Sequence, residues 1–490
     1  MTSATAVISD TAVTSDTAVT SATASTFWCA TLLLDGVPVP RVRLEVGADG
    51  RLARVTRDVA AAPGDLRLGA VVPGMADAHS HAFHRALRGR THAHDSADDG
   101  DFWRWRAAMY RVAGALDPGR YQALARAVFA EMLVSGWTAV GEFHYVHHRA
   151  DGSPYPTEHA MELALVAAAR EVGIRLVLLD TCYLTAGIEA VGGGAGEPIG
   201  RPLAPEQRAF GDISAGAWLR RWRSLRAALG EDPDRRITLG AAVHSVRAVP
   251  AAAIREILAG LPADVPLHLH VSEQPQENAD CLAAYGLTPT GLLDRLGVLD
   301  PRVSLVHATH LTDDDVALIG AAGATVVMCP TTEADLGDGI GRARDLARAG
   351  ARIALGSDQN AVVDPFREMR DLEMGERLAS GRRGRFAPAQ VLEAATAHGY
   401  AALGLGSGRL GVGDLCDLVE VRTDTATTTG CAPDQLALVA TAADVGRVVV
   451  HGAIVADRGR LVRPDDPTTS SDPATMLHDA LALLDPGAHR

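Results

Sequence analysis

The middle of the chain repeats one pattern, in which a short run of apolar and β-branched residues precedes a longer segment with helical spacing. Eight such runs lie between residues 69 and 360: GAVVPGMADAHSH, TAVGEFHYV, RLVLLDTCY, RITLGAAVHSV, PLHLHVSE, VSLVHATH, ATVVMCPTT and RIALGSDQN. The intervening segments are rich in Ala, Leu, Arg and Glu, as in residues 118–136. Buried strands that alternate with helices are typical of parallel β/α units, and eight units predict an α/β fold with a closed (β/α)8 barrel of the TIM type.

The two ends of the chain show a different pattern, in which apolar and polar residues alternate over short stretches. These stretches run from residue 27 to 70, with a turn at residues 48–50, and again from residue 406 to 463. Alternation of this kind is typical of strands with one buried face. We therefore expect a small β-sandwich domain built from both segments beside a barrel at residues 71–405, and a tail with a helix at residues 464–490.

The first 26 residues repeat the motif SDTAV within a stretch of Ser, Thr and Ala. They have no basic start and no sustained apolar core, which a secretory signal would need, and they lack the arginines of a transit peptide. We expect residues 1–26 to form a disordered extension.

Charge and cysteine content exclude several classes of function. The formal net charge of −14 argues against a nucleic-acid partner, and no apolar run reaches the roughly 20 residues of a membrane span. The six cysteines are scattered without a C-x-x-C pair, which favours reduced thiols in a cytoplasmic protein. All 46 basic residues are arginines, so Schiff-base lysines, phosphate-loop lysines and a carboxylated lysine between two metals are excluded.

Histidines and one aspartate stand at the ends of several predicted strands. His79 and His81 end the first strand, His270 ends the fifth and Asp358 ends the eighth. In a barrel of this type the C-terminal strand ends meet at one rim, and side chains two residues apart share a face. Three imidazoles and one carboxylate suit a borderline-soft divalent ion. We expect these four residues to bind one Zn²⁺, with Fe²⁺ or Mn²⁺ as alternatives.

Two further residues at the same rim suit hydrolytic chemistry, because a bound metal ion lowers the pKa of its water to about 7. Glu273, three residues after His270, is placed to carry protons between that water and a leaving nitrogen. His307 ends the sixth strand and is placed to hold the nucleophile in line. These positions predict catalytic roles for Glu273 and His307.

The remaining features near the rim receive simpler interpretations. The long connection from Leu184 to Ser214 is expected to act as a lid or a specificity element. His268 and His310 are expected to be structural. Surface or loop positions are expected for five other histidines: His92, His94, His147, His148 and His159.

The motifs PGMADAHSH, HLHVSE, LVHATH and LGSD, in this order, resemble those of the amidohydrolase superfamily and its mononuclear deaminase branch. The resemblance covers residues 27 to about 463. Longer stretches are similar to the formimidoylglutamate deiminase family: HSHAFHRALRGRTH, FWRWRAAMYR, GEFHYVHH, VHSVRAV, HVSEQPQEN, CPTTEADLGDG and GSDQNAVVDPFREMR. That family hydrolyses N-formimidoyl-L-glutamate to N-formyl-L-glutamate and ammonia in histidine degradation. The resemblance implies that the same four residues bind the metal, and that Glu273, His307 and Asp358 carry out the proton and water chemistry.

A substrate with two carboxylates requires guanidinium groups in its binding site. Arg247 and His244 follow the fourth predicted strand at the rim. The resemblance implies further substrate contacts for Arg106 and Tyr145. It also implies one for His84, although the family usually has Gln at that position. We expect a small acidic substrate.

Two other functions remain open at this point. The same machinery could deaminate a purine or pyrimidine base such as guanine, but the rim arginines and an aromatic content of only 4% disfavour it. A barrel with a purely structural metal would not need Glu273 and His307 beside a complete ligand set.

Barrels of this kind commonly form homodimers, and the sequence shows no interface.

Overall fold

The structure of the protein is a computed structural model that describes residues 25–92, 102–189, 199–463 and 466–484. Residues 1–24 of the extension predicted at 1–26, together with His94 and most of the glycine-rich part of the long connection, fall outside these ranges, and Thr26 already belongs to a strand. Within them, no helix is long and apolar enough to cross a bilayer.

Eight parallel strands form the central sheet, and each coincides with one of the eight predicted runs, although β6 begins one residue earlier than its run. In sheet order the strands are β5 (Met75–Ser80), β6 (Trp137–His144), β7 (Arg175–Cys182), β10 (Ile237–Ser245), β11 (Leu267–Val271), β12 (Val303–His307), β13 (Thr325–Met328) and β14 (Arg352–Leu355). Two short strands after β7, β8 (Ile188–Glu189) and β9 (Ile199–Gly200), pair with each other outside the barrel. Nearly all of their residues are buried, as expected for strands covered on both faces. The predicted barrel is confirmed.

The barrel closes between its first and last strands, just beyond the end of β14. Ser80 and Asp358 form a parallel bridge there. The backbone N–H of His81 donates to the carbonyl of Asp358 at 2.9 Å, and that of Asp358 donates to the carbonyl of His79 at 2.9 Å. Three of the four predicted metal ligands therefore lie on the closing seam itself.

Helices connect the strands and cover the barrel. Their bounds are α1 (Phe102–Ala115), α2 (Pro118–Ser135), α3 (Ala160–Val172), α4 (Ala215–Leu229), α5 (Ala251–Gly260), α6 (Pro275–Tyr285), α7 (Pro289–Arg295), α8 (Asp313–Ala322), α9 (Pro330–Leu336), α10 (Ala343–Ala349), α11 (Pro365–Ser380), α12 (Pro388–Glu393), α13 (Gly399–Ala402), α14 (Leu436–Val439) and α15 (Pro473–Leu484). Local sequence sets the bounds of α2. Asp117 caps its first turn by accepting from the backbone N–H of Arg120, and Gly136 ends it with a φ of 107°.

The two ends of the chain meet in a second sheet, as predicted. Its strands are β1 (Thr26–Leu34), β2 (Val37–Val46), β3 (Leu52–Thr56), β4 (Leu66–Pro73), β15 (Leu418–Val421), β16 (Val445–Val450), β17 (Ala453–Asp457), β18 (Arg460–Arg463) and β19 (Asp466–Ser471). β4 pairs with β15 and so joins the two segments. Hydrogen bonds connect all nine strands into one sheet, which has a hydrophobic cluster of its own around Phe27, Leu44 and Leu418. The sheet continues through β19, beyond the expected limit at residue 463, and α15 then packs against α2.

A buried ion pair connects the barrel with this second sheet. Arg175, at the start of β7, donates from Nε to Asp417 Oδ2 at 2.5 Å and from Nη2 to Oδ1 at 2.9 Å. The Tyr400 hydroxyl and the backbone N–H of His451 also donate to Asp417. The paired guanidinium lowers the pKa of Asp417, although burial acts in the opposite direction.

All six cysteines are free and five of them are buried, as the scattered cysteine pattern predicted.

Candidate active site

The four predicted metal ligands converge at the C-terminal rim of the barrel. His79 Nε2 lies 3.2 Å from His270 Nε2 and 3.3 Å from Asp358 Oδ1. His81 Nε2 lies 3.4 Å from the same carboxylate oxygen. All four side chains are buried.

Backbone carbonyls fix the orientation of two of these imidazoles. Nδ1 of His81 lies 2.8 Å from the carbonyl of Phe143, and Nδ1 of His270 lies 2.9 Å from that of His244. Because a carbonyl can only accept, each Nδ1 carries the proton and each Nε2 presents a lone pair to the centre of the cluster.

The electrostatics of the cluster fit a cation. Burial lowers the pKa of His79 and His270 well below the ordinary value and that of His81 to about 3, so the rings are neutral at pH 7. Neutral imidazoles with Nε2 lone pairs directed at one point, beside a carboxylate, are the donor set of a divalent metal.

A second group of residues holds the closing seam in place, and the sequence analysis did not identify it. Asp77 accepts hydrogen bonds from the Ser357 hydroxyl and, at 3.0 Å, from its backbone N–H. The Asn360 amide donates to the Ser80 hydroxyl at 3.2 Å and to the His81 carbonyl at 3.1 Å. Asp77 could have been found from the sequence, since it precedes His79 and His81 at the two-residue spacing of one strand face.

The backbone is strained at two of the predicted catalytic residues. His307 and Asp358 have φ values of 68° and 45°, in the left-handed region that β-carbons disfavour. Such conformations persist only where the surrounding structure enforces them, and they concentrate at functional sites.

His307 lies between the carboxylates of the rim. Its Nε2 is 3.9 Å from both Glu273 Oε1 and Asp358 Oδ2, and its Nδ1 is 3.5 Å from Glu333 Oε1. Burial alone would lower the pKa of His307, but Glu333 and the charges of Glu273 and Asp358 outweigh burial and raise it to about 10. His307 is therefore a hydrogen-bond donor beside the metal-ligand cluster.

Arg247 lies on the other side of Glu273. Its Nη2 donates to Glu273 Oε2 at 3.1 Å, and its Nε is 3.6 Å from Glu277 Oε2. These two carboxylates raise the pKa of Arg247 despite its burial. Glu277 was not identified from the sequence, because only the tertiary structure brings the first turn of α6 to this guanidinium.

All five predicted substrate-binding residues line one cavity of about 670 Å³ above the cluster. His84 Nε2 lies 3.0 Å from the Tyr145 hydroxyl, and burial lowers the pKa of His84 well below its ordinary value. Arg106 donates from Nε to Tyr110 at 2.8 Å. Arg201, in the long connection predicted to act as a specificity element, also lines the cavity.

Aromatic side chains form much of the cavity wall. They are Trp105, Tyr110, Tyr145, Tyr183 and Phe210. The low aromatic content of the chain therefore does not carry over to the site, because the fold gathers aromatic residues from distant segments at this rim.

Two of the predicted loop histidines are buried rather than exposed. His147 Nδ1 lies 2.7 Å from Glu162 Oε1, and the ring contacts the Thr181 carbonyl through Nε2 at 2.9 Å. His159 immediately precedes α3 and is also buried. Both residues lie in the loop between β6 and α3, in agreement with the prediction of surface or loop positions, and His147 is buried there because α3 and α4 bring Glu162 and Arg221 beside it. His92 is exposed and His268 is buried, as predicted.

Comparison with known proteins places this site in a family. Residues 70–455 match the model of the Amidohydrolase family. A crystal structure of an amidohydrolase from Brucella melitensis superimposes with a TM-score of 0.84 at 30% identity, over 94% of this chain and 99% of that one. The chain belongs to the amidohydrolase family, and it is a hydrolase that acts on C–N bonds.

Individual relatives are more specific. The chain is 38% identical to formimidoylglutamate deiminase of Pseudomonas aeruginosa, over 77% of this chain and 82% of that protein. It is 29% identical to 5-methylthioadenosine/S-adenosylhomocysteine deaminase of Halobacterium salinarum, over 84% and 87% of the two chains. An adenosine deaminase from Xanthomonas campestris with bound zinc superimposes with a TM-score of 0.75 at 25% identity, over 94% and 98%. These similarities support a deiminase that uses a divalent metal.

Proposed function

We propose that the protein hydrolyses N-formimidoyl-L-glutamate to N-formyl-L-glutamate and ammonia, a step of histidine degradation. The observation that carries this proposal is the presence of Arg247 and Arg106 in the same cavity as the cluster of three imidazoles and one carboxylate. Guanidinium groups match carboxylates in charge and planar geometry, and the substrate has two carboxylates. The similarity to formimidoylglutamate deiminase supports the same substrate.

The metal in this proposal is a single zinc ion held by His79, His81, His270 and Asp358. Four donors of this kind suit zinc, and Fe²⁺ and Mn²⁺ are the alternatives. When bound, the ion activates water for attack on the amidine carbon and stabilises the charge that develops there.

The protein's own residues then move protons and hold the substrate. Glu273 accepts one proton from the attacking water and passes it to the imino nitrogen. The second water proton reaches the same nitrogen as the C=O bond forms and the C–N bond breaks, which releases ammonia. His307 donates a hydrogen bond from Nε2 to the oxygen that attacks, and so keeps it in line. Arg247 and Arg106 bind the glutamate carboxylates and bring the formimidoyl carbon to the rim, with Tyr145, His84 and His244 around it.

A second candidate, deamination of an aminopurine nucleoside or base, has one observation in its favour. The aromatic wall of the cavity offers surfaces on which a purine could stack, and nucleoside deaminases are among the relatives. The arginines argue against it, because an uncharged purine offers no carboxylate to the guanidinium groups of Arg247 and Arg106 that line the cavity.

Ammonia release measured for a panel of substrates tests the proposal. We expect kcat/KM for N-formimidoyl-L-glutamate to exceed that for guanine, adenosine and 5-methylthioadenosine by at least about 100-fold, the effect of two charge-assisted hydrogen bonds. N-formimidoylglycine, with one carboxylate, should be intermediate. A preference for any of the purines would contradict the proposal.

A further inference from the structure

Arg247 is shared between two carboxylates of the protein before any substrate arrives. Glu273 lies at its Nη2 edge and Glu277 at its Nε. The Glu277 side chain is completely buried, whereas those of Glu273 and Arg247 are 13% and 22% exposed and face the cavity. Glu277 therefore anchors the buried side of the guanidinium, and Glu273 occupies the edge that a substrate carboxylate would use.

The ion pair with Arg247 restrains Glu273, the residue that we propose as the proton carrier. In the ion pair, Arg247 Nη2 donates to Oε2 of Glu273 at 3.1 Å, which occupies one carboxylate oxygen and holds the side chain in one orientation. Two carboxylates already compete for one cation. A third carboxylate, brought by the substrate, competes with Glu273 when it pairs with Arg247 at Nη2.

We infer that Arg247 restrains Glu273 by their ion pair until a substrate carboxylate binds to Arg247. We call this arrangement a latch. A substrate carboxylate takes the Nη2 edge of Arg247, Glu277 retains the Nε side, and Glu273 is released to accept the proton of the attacking water. This inference rests on the proposed function, since it needs a substrate with a carboxylate. It makes Arg247 a positioning residue for catalysis as well as a binding residue, and it links recognition of the anion to turnover.

The latch can be distinguished from an arginine that only binds the substrate by supplying the two parts of the substrate as separate molecules. Formamidine carries the reacting group without a carboxylate, and propionate supplies the carboxylate separately. If Arg247 is only an anchor, propionate has no effect on formamidine hydrolysis or inhibits it. If Arg247 is a latch, propionate raises kcat for formamidine by about 10- to 100-fold, the range for releasing one charge-assisted hydrogen bond.

The variant Arg247→Gln separates the two cases further. It should hydrolyse formamidine faster than the wild type in the absence of propionate and should not respond to propionate. Arg126→Gln removes a surface arginine that pairs with Glu171 on the exterior, and it should respond like the wild type. Unfolding temperature and metal content show whether Arg247→Gln is folded.

A crystal structure of the metal-bound wild type with propionate provides a readout that does not depend on activity. We expect Arg247 to bind the propionate carboxylate and to lie beyond hydrogen-bond distance of Glu273. An Arg247–Glu273 bond that persists beside bound propionate would overturn the latch, as would hydrolysis of formimidoylglutamate with no activation of formamidine hydrolysis. Activation of formamidine hydrolysis without any turnover of formimidoylglutamate would instead support the latch and refute the proposed substrate.

Discussion

Replacement of Glu273 by glutamine should remove most of the activity while leaving the metal site intact. Glutamine has nearly the same shape, and its amide oxygen can still accept from Arg247 Nη2, which lies 3.1 Å from the carboxylate now. It cannot take up a proton from water. Glu273 is not among the four clustered donors, so the variant should bind as much zinc as the wild type.

The expected magnitude follows from the role of the lost group. General acid–base catalysis by a placed side chain contributes about 10²- to 10⁴-fold, which corresponds to about 3–5 kcal/mol of transition-state stabilisation. KM should not rise, because Arg247 no longer shares its charge with a carboxylate at that edge and is more available to the substrate.

Steady-state kinetics of ammonia release from N-formimidoyl-L-glutamate, with metal analysis of the same preparation, measures both effects. Glu256→Gln, an exposed carboxylate on α5, is the matched control and should behave as the wild type. A Glu273→Gln enzyme that keeps more than about a tenth of the wild-type kcat would refute the assignment of the proton carrier. A large loss of metal would show that Glu273 supports the metal site instead.

Three further predictions concern the metal site and the fold. Removal of the metal with a chelator should abolish ammonia release and lower the unfolding temperature, and added Zn²⁺ should restore both; an unchanged unfolding temperature would contradict the ligand set. The contribution of three imidazoles to the pH dependence has a definite sign: because burial lowers the pKa of His79, His81 and His270, these residues bind more protons in the unfolded chain than in the folded one below about pH 6.5, so the stability they provide should fall as the pH falls through that range. Thermal unfolding of the metal-free wild type and of metal-free His81→Asn between pH 7.5 and 5 checks this, since the wild type should lose more stability, and an equal loss in the two would refute it. Asp417→Asn should cost about 3–5 kcal/mol in denaturant unfolding, since it leaves Arg175 buried without its ionic partner, and it should leave KM unchanged. Asp424→Asn, at an exposed ion pair, is the control. An equal loss of stability in the two variants would show that the buried pair contributes no more than a surface pair.

Most of the barrel and the positions of its reactive residues were predictable because the information is local. A strand covered on both faces is apolar along its whole length, so each barrel strand is visible as a run of residues without any knowledge of its neighbours. A polar residue at the end of such a run must lie at the rim, since all parallel strands end there. His79, His270 and His307 were found in this way, although they lie in strands separated by up to 228 positions, the difference between 307 and 79.

Contacts between side chains could not be predicted in the same way. The sequence shows that Arg247 and Glu273 follow neighbouring strands, but only the tertiary structure brings Glu277, in the first turn of α6, to the same guanidinium. The burial of His147 likewise depends on Glu162 and Arg221, which α3 and α4 bring beside it. Composition was misleading for the aromatic wall, because an average over 490 residues does not report which of them share a cavity.

The sequence alone thus determined the class of fold, the strand ends that carry the chemistry, and the absence of lysine-based mechanisms. The tertiary structure decided how the barrel closes, with Asp358 joined to His79 and His81 across the seam, and which charges face each other above the cluster. The physical reason is that hydrophobic periodicity reports burial residue by residue, whereas pairing of side chains distant in the chain depends on strand register and helix packing.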